Sequence, residues 1–144
     1  MITTTLDSGL INHYRRTEYR VADSGFAFTL HIAQPCVALL ECMRHFQVTE
    51  AAYLTAWNPR SKPTSIARNK AAQRTLEAEV ASRGWRFLFG EGVGSDRSWA
   101  PESSILVLGI SIKAACGIGR KYGQNAIVTA RLDEEAVPML MLLV

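Results

Sequence analysis

The chain has 144 residues, 48% of them hydrophobic and 20% charged, with a net charge of +3 at pH 7. Those values are ordinary for one globular domain, long enough to bury a sizeable core without disulfides or metals. The weak net charge by itself singles out no partner, and no repeat, low-complexity segment or linker divides the chain.

Residues 1–17 have little periodicity and read as an N-terminal arm, ordered in part, ahead of a single domain over 18–144. The start, Met1 to Asp7, lacks a basic region followed by an apolar stretch, so no signal peptide is expected. Glu18 to Val21 and Phe26 to Ile32 read as strands joined by the turn Asp23-Ser24-Gly25, a hairpin. In the second, Phe26, Phe28, Leu30 and Ile32 alternate with Ala27, Thr29 and His31, which buries one face. Pro35 opens a helix from about Cys36 to Phe46. Ala51 to Trp57 is a buried strand, stopped sharply by Asn58-Pro59. A second helix begins near Thr64 or Ser65, either of which can cap it, and ends at Gly84.

Trp85 to Phe89 is the next strand, and Gly90 to Asp96 reads as a flexible loop. Ser104 to Leu108 is a buried strand ended by Gly109. Ser111 caps a third helix reaching Tyr122, which Gly123 ends. Ala126 to Ala130 is a strand, Asp133-Glu134-Glu135 a solvated turn, and Val137 to Val144 a closing strand. The apolar C-terminal run from Ala136 is far too short to span a bilayer as a helix. The expected fold is a single-domain α/β chain on the α+β border, with a mixed sheet and about three helices packed on it. Helices alternating with strands imply some parallel pairs, and the terminal hairpins imply antiparallel edges.

The three cysteines, Cys36, Cys42 and Cys116, lack metal-ligand or redox spacing and read as reduced thiols in a cytoplasmic protein. His13, His31 and His45 are not spaced as metal ligands, so no metal or cofactor is expected. No serine sits in a nucleophile elbow. Gly90, Gly92 and Gly94 follow a strand, but no helix starts behind them, which excludes the dinucleotide and P-loop fingerprints. Between Arg60 and Arg86 seven bases face two acids, so one helix carries the basic excess. Such a helix can meet phosphate or nucleic acid, or can simply be a solvated face.

The helix over 65–83 carries the sharpest signal. Ile66, Asn69, Gln73, Leu76 and Val80 share one stripe, so two amides point the same way as the core residues. Buried amides need partners. Either a ligand or the Thr55–Pro59 turn satisfies them. Ligands of open α/β sheets bind beyond strand ends, next to helix N-termini whose free N–H groups favour anions. Thr55, Trp57 and Asn58 lie at such a strand end, with Arg60, Lys62 and Arg68 near in sequence. Glu102 and Ser103 form a second polar spot, where Glu102 is a candidate general base, a partner for Arg68, or a cap for backbone N–H groups. Gln124 and Asn125 form a third, as ligand contacts or as braces of their turn. Trp57 and Trp99 flank these loops and offer rings for a planar ligand or for loop packing.

Tyr19-Arg20-Val21, Leu54-Thr55-Ala56-Trp57-Asn58-Pro59, Asn69, Gly90-Glu91-Gly92, Trp99 with Glu102-Ser103-Ser104, and Gln124-Asn125-Ala126-Ile127-Val128 together resemble the bacterial family catalogued as domain of unknown function 3293. The likeness runs over roughly residues 14 to 143. It implies a small stand-alone bacterial protein and brings no activity, substrate or cofactor.

Three functions are compatible with the sequence. The first is a site for a small anionic or nucleotide-like ligand at the Thr55–Pro59 strand end, built from Thr55, Asn58, Arg68, Asn69, Glu102 and Gln124. The second is a module that binds protein or nucleic acid through the basic helix. The third is an enzyme that uses Glu102. A concave pocket gathering Asn69, Glu102 and Gln124 favours a ligand site, whereas amides consumed by backbone contacts make the motifs architectural.

Overall fold

The computed structural model describes residues 6–96 and 100–144; Trp99 lies outside them. Seven strands form one sheet in the order β2-β1-β4-β5-β3-β6-β7. They are β1 (Glu18–Asp23), β2 (Phe26–Leu30), β3 (Glu50–Leu54), β4 (Arg86–Val93), β5 (Glu102–Leu108), β6 (Ala126–Arg131) and β7 (Met139–Leu142). Four helices accompany them: α1 (Ser8–Arg16), α2 (Val37–His45), α3 (Ile66–Ser82) and α4 (Ile112–Lys121). The expected succession of strands and helices is present, preceded by one helix in the segment read as an arm.

Every strand pair among the described residues is antiparallel, where some parallel pairs were expected. The reason is an interleaving that periodicity does not encode. β5 lies between β3 and β4 and runs against both, so β3 and β4 share a direction across α3. β3 likewise separates β5 from β6, which share a direction across α4. Each helix therefore does connect two strands of like direction, but a third strand is inserted between them. This is the doubled split β-α-β arrangement of ferredoxin-like folds. The β1–β2 hairpin extends it at one edge and β7 at the other.

The sheet is covered on both faces. α3 and α4 enclose one core with Leu54, Leu76, Val80, Ile105, Val107 and Ile118. α2 covers the other face, where Leu39 and Met43 meet Val21, Leu30, Leu88 and Leu106. Period-two alternation sorts β5 between them: Ile105 and Val107 face α3, while Leu106 and Leu108 face α2. Leu76 is fully buried, and truncating it to alanine would cost about 2–5 kcal/mol.

α3 begins where expected. The Ser65 hydroxyl accepts the Arg68 N–H at 3.2 Å, and the chain leaves the helix through Gly84 at φ +84°. Its buried stripe is Asn69, Gln73, Leu76 and Val80. Ile66, expected on that stripe, is 65% exposed. Gly90, Glu91 and Gly92 are not loop, as expected, but the paired end of β4. A Cβ on Gly90 would stand 2.0 Å from the Arg20 carbonyl oxygen and 2.9 Å from the Tyr53 hydroxyl, so the glycine belongs to the strand crossing itself. No helix among the described residues is long and apolar enough to cross a membrane.

Candidate functional site

β3 ends at Leu54, and the chain must turn tightly before reaching α3. Asn58 adopts the left-handed conformation (φ 44°, ψ 67°), and Arg60 and Ser61 follow with φ 59° and 57°. Left-handed geometry costs about 1–2 kcal/mol at a residue with a Cβ, least for asparagine, whose side chain bonds locally. The surrounding hydrogen bonds hold it. The Asn58 N–H donates to Asn69 Oδ1 at 2.8 Å, and Asn69 Nδ2 donates back to Asn58 Oδ1 at 2.8 Å. Asn58 Oδ1 also accepts the Thr64 N–H at 3.2 Å. Gln73 Oε1 accepts the Ala56 N–H at 2.8 Å. The Thr55 hydroxyl donates to the Ser103 carbonyl at 2.7 Å and accepts the Trp57 N–H at 3.0 Å. The two buried amides of α3 thus face the backbone of the turn.

One connection leaves this brace. Asn58 Nδ2 donates to Glu102 Oε1 at 3.2 Å. Glu102 opens β5, on the face opposite α3. Burial pushes its carboxyl up to about 7, with the Asn58 bond pulling the other way. Its Oε2 has no hydrogen-bond partner within the chain among the described residues.

Glu102 lines a cavity of about 70 Å³ between the sheet and α1. Its floor includes Tyr19, Tyr53, Gly92 and Ser104. Its roof is His13 and Tyr14 of α1 with Thr17 just after it, and Thr55, Ser61 and Gln124 close the sides. The space exists because β4 presents Gly92 opposite Glu102, where a Cβ would meet nothing closer than Thr17 Cγ2 at 3.8 Å. Among the described residues no lysine or arginine lines it. Burial lowers the His13 pKa, opposed by Asp96, and raises those of the Tyr19 and Tyr53 phenols. The cavity wall is more apolar than polar, and the one carboxyl on it among the described residues changes charge near neutrality.

α1 is held over the cavity by polar contacts. The Tyr14 hydroxyl meets Ser61 Oγ at 2.5 Å and accepts Asn125 Nδ2 at 3.1 Å. The Tyr19 hydroxyl donates to the Tyr14 carbonyl at 2.6 Å. No residue of α1 is fully buried. The tie is thus made by hydrogen bonds rather than by a core of its own.

The expected site residues divide into four groups. Thr55, Glu102 and Gln124 line the cavity. Asn58 and Asn125 stand behind it, on Glu102 and on Tyr14. Trp57, Gln73 and Ser103 meet instead in a groove beside α3, on the other side of the β4–β5 ladder. Asn69 belongs to the turn, and Arg68, Arg60 and Lys62 are exposed and line neither space. Gln124 Nε2 donates to the Trp57 and Tyr122 carbonyls at 3.2 and 3.3 Å, so it braces its turn while facing the cavity.

The sequence reading missed His13, Tyr14, Tyr19, Tyr53 and Ser61. The α1 residues had an available signal: Asp7 before Ser8-Gly9 is a helix cap, and its carboxylate accepts the Gly9 N–H at 3.0 Å. Tyr53 carried none, since an aromatic in an apolar strand reads as core. Among the described residues no three His, Cys, Asp or Glu side chains gather as a metal set.

A family model described as protein of unknown function (DUF3293) matches residues 54–127, just over half of the chain. The match runs from the end of β3 into β6, narrower than the likeness read from the motifs. It contains Thr55, Asn58, Asn69, Gln73, Glu102 and Gln124. No curated protein and no solved structure matches the chain.

Proposed function

Because the chain belongs to the DUF3293 family of proteins of unknown function, we propose its role from the site itself: binding a small molecule, or a small head group, that donates hydrogen bonds to Glu102. The observation that carries this reading is the carboxyl on the cavity wall, with Oε1 held by Asn58 and Oε2 unpaired. Glu102 is half-buried with Oε2 free to meet a ligand, and an amine or amide N–H can donate to it. Among the described residues the lining offers a carboxyl and neither lysine nor arginine, which favours a hydrogen-bond donor over an anion. A space of 70 Å³ is too small for a nucleotide, since pockets for such ligands run to about 300 Å³ and more. This reading keeps a small-ligand site near the Thr55–Pro59 strand end and takes a hydrogen-bond donor as its ligand, where an anionic or nucleotide-like one was expected. Asn58 orients the carboxyl, and α1 shields it from water.

Thermal unfolding with graded methylamine, imidazole and acetamide, against acetate and inorganic phosphate, tests this. The donors should raise the melting temperature of the wild type and not that of Glu102→Gln, because a ligand of the native state stabilises it by mass action. Equal shifts in both proteins, or larger shifts with the anions, would sink the reading.

A further inference from the structure

The groove beside α3 contains an amide without a partner. Gln73 is 3% exposed, and its Nε2 makes no hydrogen bond. The orientation of the amide is not free. The Ala56 N–H at 2.8 Å requires the oxygen on that side, so the NH2 group must lie on the other. Burial raises the pKa of Glu77, one turn along α3; this amide and Arg74 pull it back, although no hydrogen bond of ordinary geometry joins the amide to the carboxylate. An unmet buried donor costs about 1–3 kcal/mol and calls for an acceptor.

The surroundings define which acceptor. Trp57 is half-buried on one border of the groove, and Phe89 of β4 is 51% exposed on another. Phe89 stands edge-on to Phe87, with ring centres 5.4 Å apart. Half-exposed beside Trp57, the Phe89 ring offers a face on which a planar group can stack. Lys70 and Arg74, both exposed, stand on the α3 side of the same groove, against the single acid Glu77. The groove is shallow and open to solvent, so a ligand there would keep one side exposed. Rings for stacking, cations for an anion and one amide donor for a ring acceptor are the components of a site for a base joined to a phosphate.

We infer that the groove between α3 and β4 binds a nucleoside phosphate, its base between Trp57 and Phe89 with an acceptor on Gln73 Nε2, and its phosphate on Lys70 and Arg74. The unit is either a free nucleotide or one residue of a single strand, since both present the same chemistry. This site is separate from the Glu102 cavity and does not rest on it.

The full chain is titrated with adenosine monophosphate, ribose 5-phosphate, inorganic phosphate and a short oligodeoxyadenylate. Adenosine monophosphate should bind at least tenfold tighter than ribose 5-phosphate. Phe89→Ala and Arg74→Ala, both at exposed positions, should each weaken it by about tenfold, the scale of one lost stacking or phosphate contact. Glu102→Gln should leave it unchanged, which separates this site from the cavity. In a 15N-labelled sample the Gln73 side-chain NH2 signals should shift on addition of the nucleotide. Oligomer affinity more than tenfold above the mononucleotide, falling steeply with salt, identifies a strand as the source; equal or weaker oligomer affinity identifies the free nucleotide. No binding at millimolar nucleotide, equal affinity for inorganic phosphate, binding indifferent to both variants, or an unmoved Gln73 signal would each overturn the assignment.

Discussion

Replacing Glu102 with glutamine should stabilise this protein at alkaline pH and do little at acid pH. The folded protein holds the Glu102 carboxyl at about 7, against 4.5 for an ordinary glutamate, because burial penalises the charged form. Between those two values the native state binds the proton that the unfolded state has released. Stability from this group is therefore fully present below about pH 4.5 and is lost as pH rises through 7. The gap corresponds to about 3 kcal/mol as an upper bound, at about 1.4 kcal/mol per pH unit. Glutamine keeps the shape and, with its oxygen turned toward Asn58 Nδ2, keeps the 3.2 Å bond as well. It carries no charge to desolvate at any pH. Urea unfolding from pH 4.5 to 8.5 should show the variant gaining on the wild type by up to about 3 kcal/mol across that range. Parallel stability profiles for the two proteins would refute the reasoning, since Glu102 would then titrate alike in both states.

Three further perturbations probe the scaffold. Asn69→Ala removes both bonds to Asn58 and leaves a cavity at a residue that is 2% exposed, so urea unfolding should register a loss of about 2–4 kcal/mol without any ligand; an unchanged midpoint would mean that the turn does not need this brace. Gly90→Ala forces a methyl group to within 2.0 Å of the Arg20 carbonyl and should cost more than about 3 kcal/mol, read as lost soluble expression or a collapsed circular dichroism melt. Wild-type stability there would mean that β1 and β4 do not cross so closely. Tyr14→Phe deletes the contacts to Ser61 and Asn125 and should cost about 1–2 kcal/mol, felt mainly by α1. Hydrogen exchange should quicken over residues 8–16 while β3 and β5 stay protected, and uniform change across the chain would argue against α1 as a separately held cover.

Much of the fold was legible along the chain. Ser65 and Ser111 cap α3 and α4 as read, and Gly84 and Gly123 leave their helices with positive φ. These signals are local, since a cap or a left-handed glycine acts within four residues. The β1–β2 hairpin follows from its alternation and its turn. α1 was missed although Asp7 caps it, because its nine residues are mostly polar and none is fully buried, so the segment reads as an arm. The end of β4 was mistaken for loop because glycine is scarce in strands; its use at Gly90 depends on the Arg20 carbonyl and the Tyr53 hydroxyl, which come from β1 and β3.

The site divides in the same way. The stripe of Asn69 and Gln73 required that two amides be buried and paired, which the 3.6-residue period dictates regardless of context. Which groups they meet was open to sequence, and the answer differs for each: Asn69 is spent on Asn58, while Gln73 keeps one hand unused. Glu102, Ser103 and Ser104 are consecutive, yet the pleat sends them to opposite faces, so neighbours along the chain serve different spaces. Sequence by itself determined the succession of elements, their caps and turns, and the polar residues that had to be accounted for. Tertiary structure alone decided the strand order, the cover that α1 places over Glu102 and the sorting of the Thr55–Pro59 motif into brace, cavity wall and groove. The physical reason is range: capping and periodicity are set within a turn of helix, whereas burial and pairing depend on residues that meet only once the sheet has closed.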